Sequence, residues 1–253
     1  MNPSAPLGIL SAIPEELRHL EDRTEGSHSI GGLEFHRGRI EGRQAVFVET
    51  GIGKVNAALT ATILAQHFGC RALIFGGVAG GIDARLGIGD VVVATRLVQH
   101  DYGALKDGRI EAYQPGIPPL PGMDRTPGYD MAEALEQKLR ARLAGTELPA
   151  VNSGVTGEAP RQAGLHFGTI VSGDTFVNCG MTRVRLEQEF GALAVEMEGA
   201  AVAQVCERFG LPWVVVRCLS DLAGVDSHLN FPAFLPLAAK AAAVVVRRAV
   251  HAV

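Results

Sequence analysis

Apolar residues in this chain come in short blocks, and the blocks alternate between two spacings. Continuous apolar or small runs at residues 7–11, 71–75, 89–94, 192–195 and 212–218 are too short for helices and read as buried strands. Between them, residues 53–68, 130–143, 182–190 and 199–209 and a C-terminal stretch from Pro232 read as helices. Pro14 opens a further short helix, since a proline in the first turn gives up only an N–H that has no partner there. Residues 32–39 and 44–50 flank Glu41-Gly42 and predict a hairpin. Further strands are expected near 150–156 and 168–171.

Two stretches lack either period. Residues 1–6 are expected to fray, and residues 102–129, rich in proline and glycine, read as a long surface loop. Elsewhere strands and helices alternate over short connections. That predicts an α/β, single-domain three-layer sandwich over 1–253, with a mixed, mostly parallel central sheet flanked by helices. No repeat, linker or low-complexity tract divides the chain.

Composition narrows the partners. With 47% hydrophobic residues the chain has ample material for a core, and a net charge of −4 without any basic cluster argues against nucleic acid or an anionic membrane. No apolar run is long enough to span a bilayer, and Met1-Asn2-Pro3-Ser4-Ala5-Pro6 lacks the features of a signal peptide. Cys70, Cys179, Cys206 and Cys218 are scattered with no CxxC pair, which points to free thiols, the cytoplasm and no structural zinc. The histidines form no metal-binding spacing, and no GxSxG elbow supports serine-hydrolase chemistry.

Candidate chemistry gathers at strand ends. Ala194-Val195-Glu196-Met197-Glu198-Gly199 sets two carboxylates between a strand and a helix, where α/β proteins hold small molecules. Val214-Val215-Val216-Arg217-Cys218-Leu219-Ser220-Asp221 ends a second strand in an arginine and an aspartate, which suits either a site or a buried ion pair. Gly51-Ile52-Gly53-Lys54 has neither GxGxxG nor P-loop spacing, so a dinucleotide or nucleoside triphosphate is disfavoured and a plain tight turn fits as well. Gly76-Gly77-Val78-Ala79-Gly80-Gly81 lets a backbone come close to a ligand. Glu15 and Glu16 suit the first turn of a helix by its dipole alone, unless one turns inward. Phe176, in Ser172-Gly173-Asp174-Thr175-Phe176-Val177-Asn178, fits a core position or a stacking platform for an aromatic ring.

Together these stretches resemble the nucleoside phosphorylase/hydrolase superfamily, and within it the 5′-methylthioadenosine/S-adenosylhomocysteine nucleosidases. The resemblance runs in order through GILSAIPEEL, ETGIGKVNAALTA, GGVAGGI with GDVVVA, SGDTFVN, AVEMEGAAVAQVC and VVVRCLSDLAG, from residue 8 to about 235. It implies a nucleoside phosphorylase-like fold and an enzyme that hydrolyses an N-glycosidic bond, releasing adenine and a 5-thio-substituted ribose. It further implies a cytoplasmic homodimer in methionine salvage, needing no cofactor or metal. By position, Glu16 would be the base that activates water, Arg217 would hold that water or its charge partner, and Asp221, oriented by Ser220, would protonate N7. Glu198 would bind the ribose hydroxyls, with Met197 beneath the sugar. Phe176 would stack on adenine while the Val177 backbone reads its amino edge. Ile13, Ile52 and Phe231 would line the sugar and alkylthio pocket. Glu196 is expected to serve the scaffold.

Three departures from the family pattern stand out. Val78 stands where many relatives carry serine or threonine, which removes a hydroxyl suited to phosphate and favours water. Pro14 replaces an acid. Residues 102–127 also differ from the bacterial enzymes, leaving the choice among methylthioadenosine, adenosylhomocysteine, 5′-deoxyadenosine and futalosine-type nucleosides open. A phosphate-dependent purine nucleoside phosphorylase and a non-catalytic nucleoside sensor are the other readings.

Overall fold

The computed structural model describes residues 4–118, 120, 126–151, 161–224 and 226–253. In chain order the strands are β1 (Leu7–Ser11), β2 (Arg23–Ile30), β3 (Leu33–Ile40), β4 (Arg43–Glu49), β5 (Ala72–Gly81) and β6 (Val91–Gln99). They continue with β7 (Gly103–Lys106), β8 (Arg109–Ala112), β9 (Tyr129–Asp130), β10 (Leu165–Ser172), β11 (Ala192–Glu196) and β12 (Trp213–Asp221). The helices are α1 (Pro14–Leu17), α2 (Lys54–Gln66), α3 (Glu133–Leu143), α4 (Gly180–Phe190), α5 (Gly199–Phe209) and α6 (Ser227–Ala249).

Among the described residues, one mixed sheet runs in the order β11-β10-β6-β12-β5-β1-β4-β3-β2, with β9 beside β6. Most of its pairings are parallel: β1 pairs in parallel with β4 and β5, β5 with β12, and β10 with β6 and β11, while β12 and β6 run antiparallel. Of these, β1, β5 and β12 are buried on both faces, which is why Ala72–Phe75 and Trp213–Val216 read as unbroken apolar runs. Helices cover the sheet on two sides. Val215 and Val216 are neighbours on β12 and so face opposite ways. Gly199 of α5 lies against Val215, while Gly76, paired with Val216, lies against Val246 of α6.

Several boundaries move for physical reasons. β5 does not stop at Phe75 but runs to Gly81, because its far end pairs with β12 on one side and antiparallel with Ala194 and Val195 of β11 on the other. That second pairing curls the sheet onto itself. β2, unforeseen, is exposed along almost all its length, so no apolar alternation marks it; backbone pairing to β3 makes it a strand. The expected loop 102–129 contains the hairpin β7–β8, turned by Asp107 (φ 49°) and Gly108 (φ 76°), the left-handed pair of a tight hairpin. Glu41 (φ 50°) and Gly42 (φ 76°) make the same turn where a hairpin was expected. The C-terminal helix begins at Ser227 rather than Pro232, and carries Pro232 and Pro236 within it. Of the strand expected near 150–156, Val151 makes an isolated bridge to Arg161, and residues 152–160 lie outside the described residues.

Candidate active site

The ends of β5, β11 and β12 and the turns after β1, β4 and β10 open onto one cavity of about 500 Å³. Its walls are largely apolar with a few convergent polar groups, the usual make-up of a small-molecule site. Ile13, Glu16, Ile52, Val78, Phe176 and Val177 line it, as do Met197, Glu198, Ser220, Asp221 and Phe231. Arg217, the remaining residue singled out in the sequence, lies buried behind this wall among its carboxylates.

Glu16 is the acid that turns inward. It is the third residue of α1, and its Oε2 accepts the N–H groups of Ala12 (2.8 Å) and Ile13 (3.3 Å) just before the helix. Its Oε1 accepts the Val78 N–H at 3.0 Å. Burial pushes its carboxyl above the ordinary range, while the Arg217 charge and these three N–H donors pull the other way. Glu15 points outward, 3.7 Å from Arg18.

Arg217 is fully buried and holds the carboxylates in place. Its Nε and Nη2 donate to Glu196 Oε2 at 3.1 and 2.5 Å, and Nη2 lies 3.6 Å from Glu198 Oε2. The guanidinium sits 4.2 Å over the ring of Phe75. Nη1 has no hydrogen-bond partner among the described residues. It faces Gly77, as does Glu16: a Cβ there would lie 2.8 Å from Nη1 and 2.7 Å from Glu16 Oε1.

Glu196 and Glu198 divide their tasks through local geometry. Glu196 accepts the N–H groups of Glu198 and Gly199, closing the first turn of α5, and the Ser172 hydroxyl donates to it as well. Glu198 instead points into the cavity, with Oε1 accepting the Gly53 N–H at 2.9 Å. Burial and the neighbouring Glu196 charge push Glu198 up to about 8 against the pull of Arg217.

Asp221 owes its direction to a register shift. Leu219 pairs with Ala79 but Asp221 with Gly80, so Ser220 is an extra residue in β12 that re-aims the aspartate after it. The Ala223 N–H donates to Asp221 Oδ1 at 2.9 Å, and the Ser220 hydroxyl to Oδ2 at 3.1 Å. At the mouth, the half-exposed ring of Phe176 meets Phe231 edge-on at 6.2 Å, and Asn178 Nδ2 lies 3.4 Å from His228 Nδ1.

The lining residues Ala12, Thr175, Ala79, Gly80, Val195 and His228 were not singled out as site residues. His228 had a legible signal, three residues before Phe231 on one helix. Ser172 had none, because its place beside Glu196 depends on the β10–β11 register.

A curled, helix-covered α/β sheet with a carboxylate-lined cavity at its strand ends defines an enzyme-like small-molecule site. The family model of the phosphorylase superfamily matches residues 6–251, and the chain belongs to that superfamily. It is 43% identical over 244 residues, 95% of each chain, to a 5′-methylthioadenosine/S-adenosylhomocysteine nucleosidase of Mycobacterium tuberculosis. The structure of a Streptococcus pneumoniae nucleosidase of that name, bound to a transition-state inhibitor, superposes with a TM-score of 0.80 at 30% identity, covering 98% of this chain and 99% of that one. A futalosine hydrolase of Helicobacter pylori superposes with a TM-score of 0.81 at 30% identity over 100% of both chains.

Proposed function

We propose that this chain hydrolyses the N-glycosidic bond of 5′-methylthioadenosine and S-adenosylhomocysteine, releasing adenine and a 5-thio-substituted ribose. The observation that carries this reading is the buried set Glu16, Glu198, Arg217 and Asp221, supplied by separate segments to one site. The 43% identity to a nucleosidase of that specificity over nearly the whole chain supports the substrate class.

Such a bond breaks when the base leaves with a proton while the sugar passes through an oxocarbenium-like state. Asp221 delivers the proton at N7, with Ser220 fixing the carboxyl. Phe176 stacks on the adenine ring and the Val177 backbone meets its amino edge. Glu198 takes the ribose hydroxyls and, once ionised, sets negative charge beside the developing cation. Met197 packs beneath the sugar, and Ile13, Ile52 and Phe231 line the sugar and alkylthio pocket. Glu16, held in one orientation by three N–H donors, takes the proton of a water placed between its Oε1 and Arg217 Nη1. Water rather than phosphate is the nucleophile: Val78 has no hydroxyl, and its N–H is already committed to Glu16.

The test is adenine release from a panel of 5′-substituted adenosines, including aminofutalosine, with and without phosphate. Release from methylthioadenosine and adenosylhomocysteine without phosphate is expected. Turnover of aminofutalosine alone would move the chain to the futalosine class, and ribose-1-phosphate as product would make it a phosphorylase.

The working form is proposed to be a cytoplasmic homodimer in methionine salvage. Ile52, Val55 and Leu59 are exposed at helical spacing on and just before α2, beside the cavity mouth, and a second copy would cover them. The four free cysteines suit a reducing compartment, and no helix among the described residues is long and apolar enough to cross a membrane. Sedimentation of the purified chain checks the dimer.

A further inference from the structure

Outside the cavity, three charged residues join the segments that form its two ends. Lys54 is the first residue of α2, and its backbone N–H donates to Asp174 Oδ1 at 2.8 Å. Its Nζ donates to Asp101 Oδ1 at 2.5 Å and lies 3.8 Å from Asp174 Oδ2. Asp101 Oδ2 in turn accepts the Asp174 N–H at 2.7 Å, which closes the ring. The Lys54 and Asp101 side chains are only 14% and 17% exposed, so the pair is shielded from most of the solvent. None of the three lines the cavity.

What they join matters more than the pairing itself. Gly53 and Lys54 present consecutive N–H groups, one to Glu198 in the cavity and the next to Asp174 outside it. Two residues beyond Asp174 stands Phe176. The joined segments leave little slack. A Cβ on Gly53 would lie 3.3 Å from Asp174 Oδ1, and one on Gly173 would lie 2.4 Å from His100 Nε2 and 3.1 Å from Asp101 Cγ. The turn that holds the ribose-facing carboxylate and the loop that bears the adenine-facing ring are therefore braced against each other and against the end of β6.

We propose that Lys54, Asp101 and Asp174 are positioning residues that fix the distance between the adenine platform, Phe176, and the ribose ligand, Glu198. This rests on the roles proposed above for Phe176 and Glu198. Both surfaces grip the nucleoside before and during bond cleavage, so loosening the brace weakens ground state and transition state alike. The signature is a rise in KM with kcat nearly kept. A mere cap on α2 would lower stability and leave both constants alone.

The experiment uses Asp101→Asn, which keeps the side chain's shape, and Lys54→Met, each as full-length protein. Adenine release from methylthioadenosine gives KM and kcat, calorimetry gives the affinity for free adenine, and thermal melting gives stability. The expected result for each variant is about a tenfold higher KM and about tenfold weaker adenine binding, with kcat within about threefold of wild type. The double variant should be no worse than either single one, and Lys54→Arg should restore most of the loss. KM and adenine affinity within twofold of wild type, with only the melting temperature lowered, would reduce the cluster to a helix cap and overturn the proposal. A wild-type protein that releases no adenine from any of the nucleosides overturns the reading of the site, and this inference with it.

Discussion

Adjacent glycines on β5 offer a test of the water-activating geometry in which one substitution controls for the other. Gly77→Ala places a methyl 2.7 Å from Glu16 Oε1, 3.0 Å from its Cδ and 2.8 Å from Arg217 Nη1. Ordinary contact begins near 3.4 Å, so the carboxylate must retreat by about 0.5–0.7 Å or the water must yield its place. Retreat strains the bonds from Val78, Ala12 and Ile13 that orient Glu16. Displacing a catalytic group by about 1 Å costs on the order of 10²-fold, and losing a general base costs about 10²–10⁴-fold. Gly77→Ala should thus lower kcat for adenine release by about 10²–10⁴, some 3–5 kcal/mol of barrier, with a smaller change in KM. Gly76→Ala is the control. Its methyl meets Val246 at 2.9 Å on the opposite face of the sheet. Overpacking of that kind costs about 1–3 kcal/mol of stability and should lower the melting temperature by several degrees while kcat holds. The measurements are chromatographic adenine release under saturating methylthioadenosine and calorimetric melting of both variants. If Gly77→Ala turns over within threefold of wild type, the water does not sit between Glu16 and Arg217 and the base assignment fails.

Asp221→Asn keeps the contacts with Ser220 and Ala223 in shape but removes the proton donor, so kcat should fall by about 10²–10⁴; an unchanged rate would refute the acid role. Phe176→Ala removes a half-exposed ring and should raise KM about 10–100-fold by the usual worth of base stacking, with no change in melting temperature. Glu198 links the site to pH. Its carboxyl keeps a proton up to about 8 in the folded chain but only to about 4.5 when unfolded. Its stabilising share is therefore complete below pH 4.5 and is lost as pH climbs through about 8. Melting temperatures from pH 6 to 9 should fall less steeply for Glu198→Gln than for wild type, and parallel curves would contradict the buried, protonated state.

Much of the sheet was legible because parallel central strands bury both faces and so write themselves as apolar runs. The charged groups at the cavity were legible for a different reason: Glu198, Arg217 and Asp221 abut such runs, where charge needs a partner, whereas the family resemblance set Glu16 apart from Glu15. What the sequence hid depended on pairing between distant segments. β2 has no buried face to betray it. The glycine-rich end of β5 looked like a flexible turn, yet it is strand because β11 and β12 reach it from elsewhere in the chain. The β7–β8 hairpin did carry a local sign, Asp107-Gly108, which the surrounding prolines and glycines masked. The split between Glu196 and Glu198 is partly local, since a helix start accepts only one of two nearby acids as its cap. Their shared partner, Arg217, comes from β12, which reaches them across β5 in the curled sheet.

That single cation shapes the electrostatics of the whole site. Arg217 faces three buried carboxyl groups, and a low-dielectric interior does not sustain three negative charges against one positive. Hydrogen bonding decides which carboxylate takes the pairing: Glu196 receives both Arg217 donors, the Gly199 N–H and the Ser172 hydroxyl. Glu198 and Glu16 are left with their carboxyls shifted toward the protonated state. On the role proposed for Glu198, positive charge developing on the ribose would favour the ionised carboxylate that burial disfavours. On the proposed roles, Glu198 grips the ribose hydroxyls throughout the reaction, and its charge adds to that hold as the barrier is crossed.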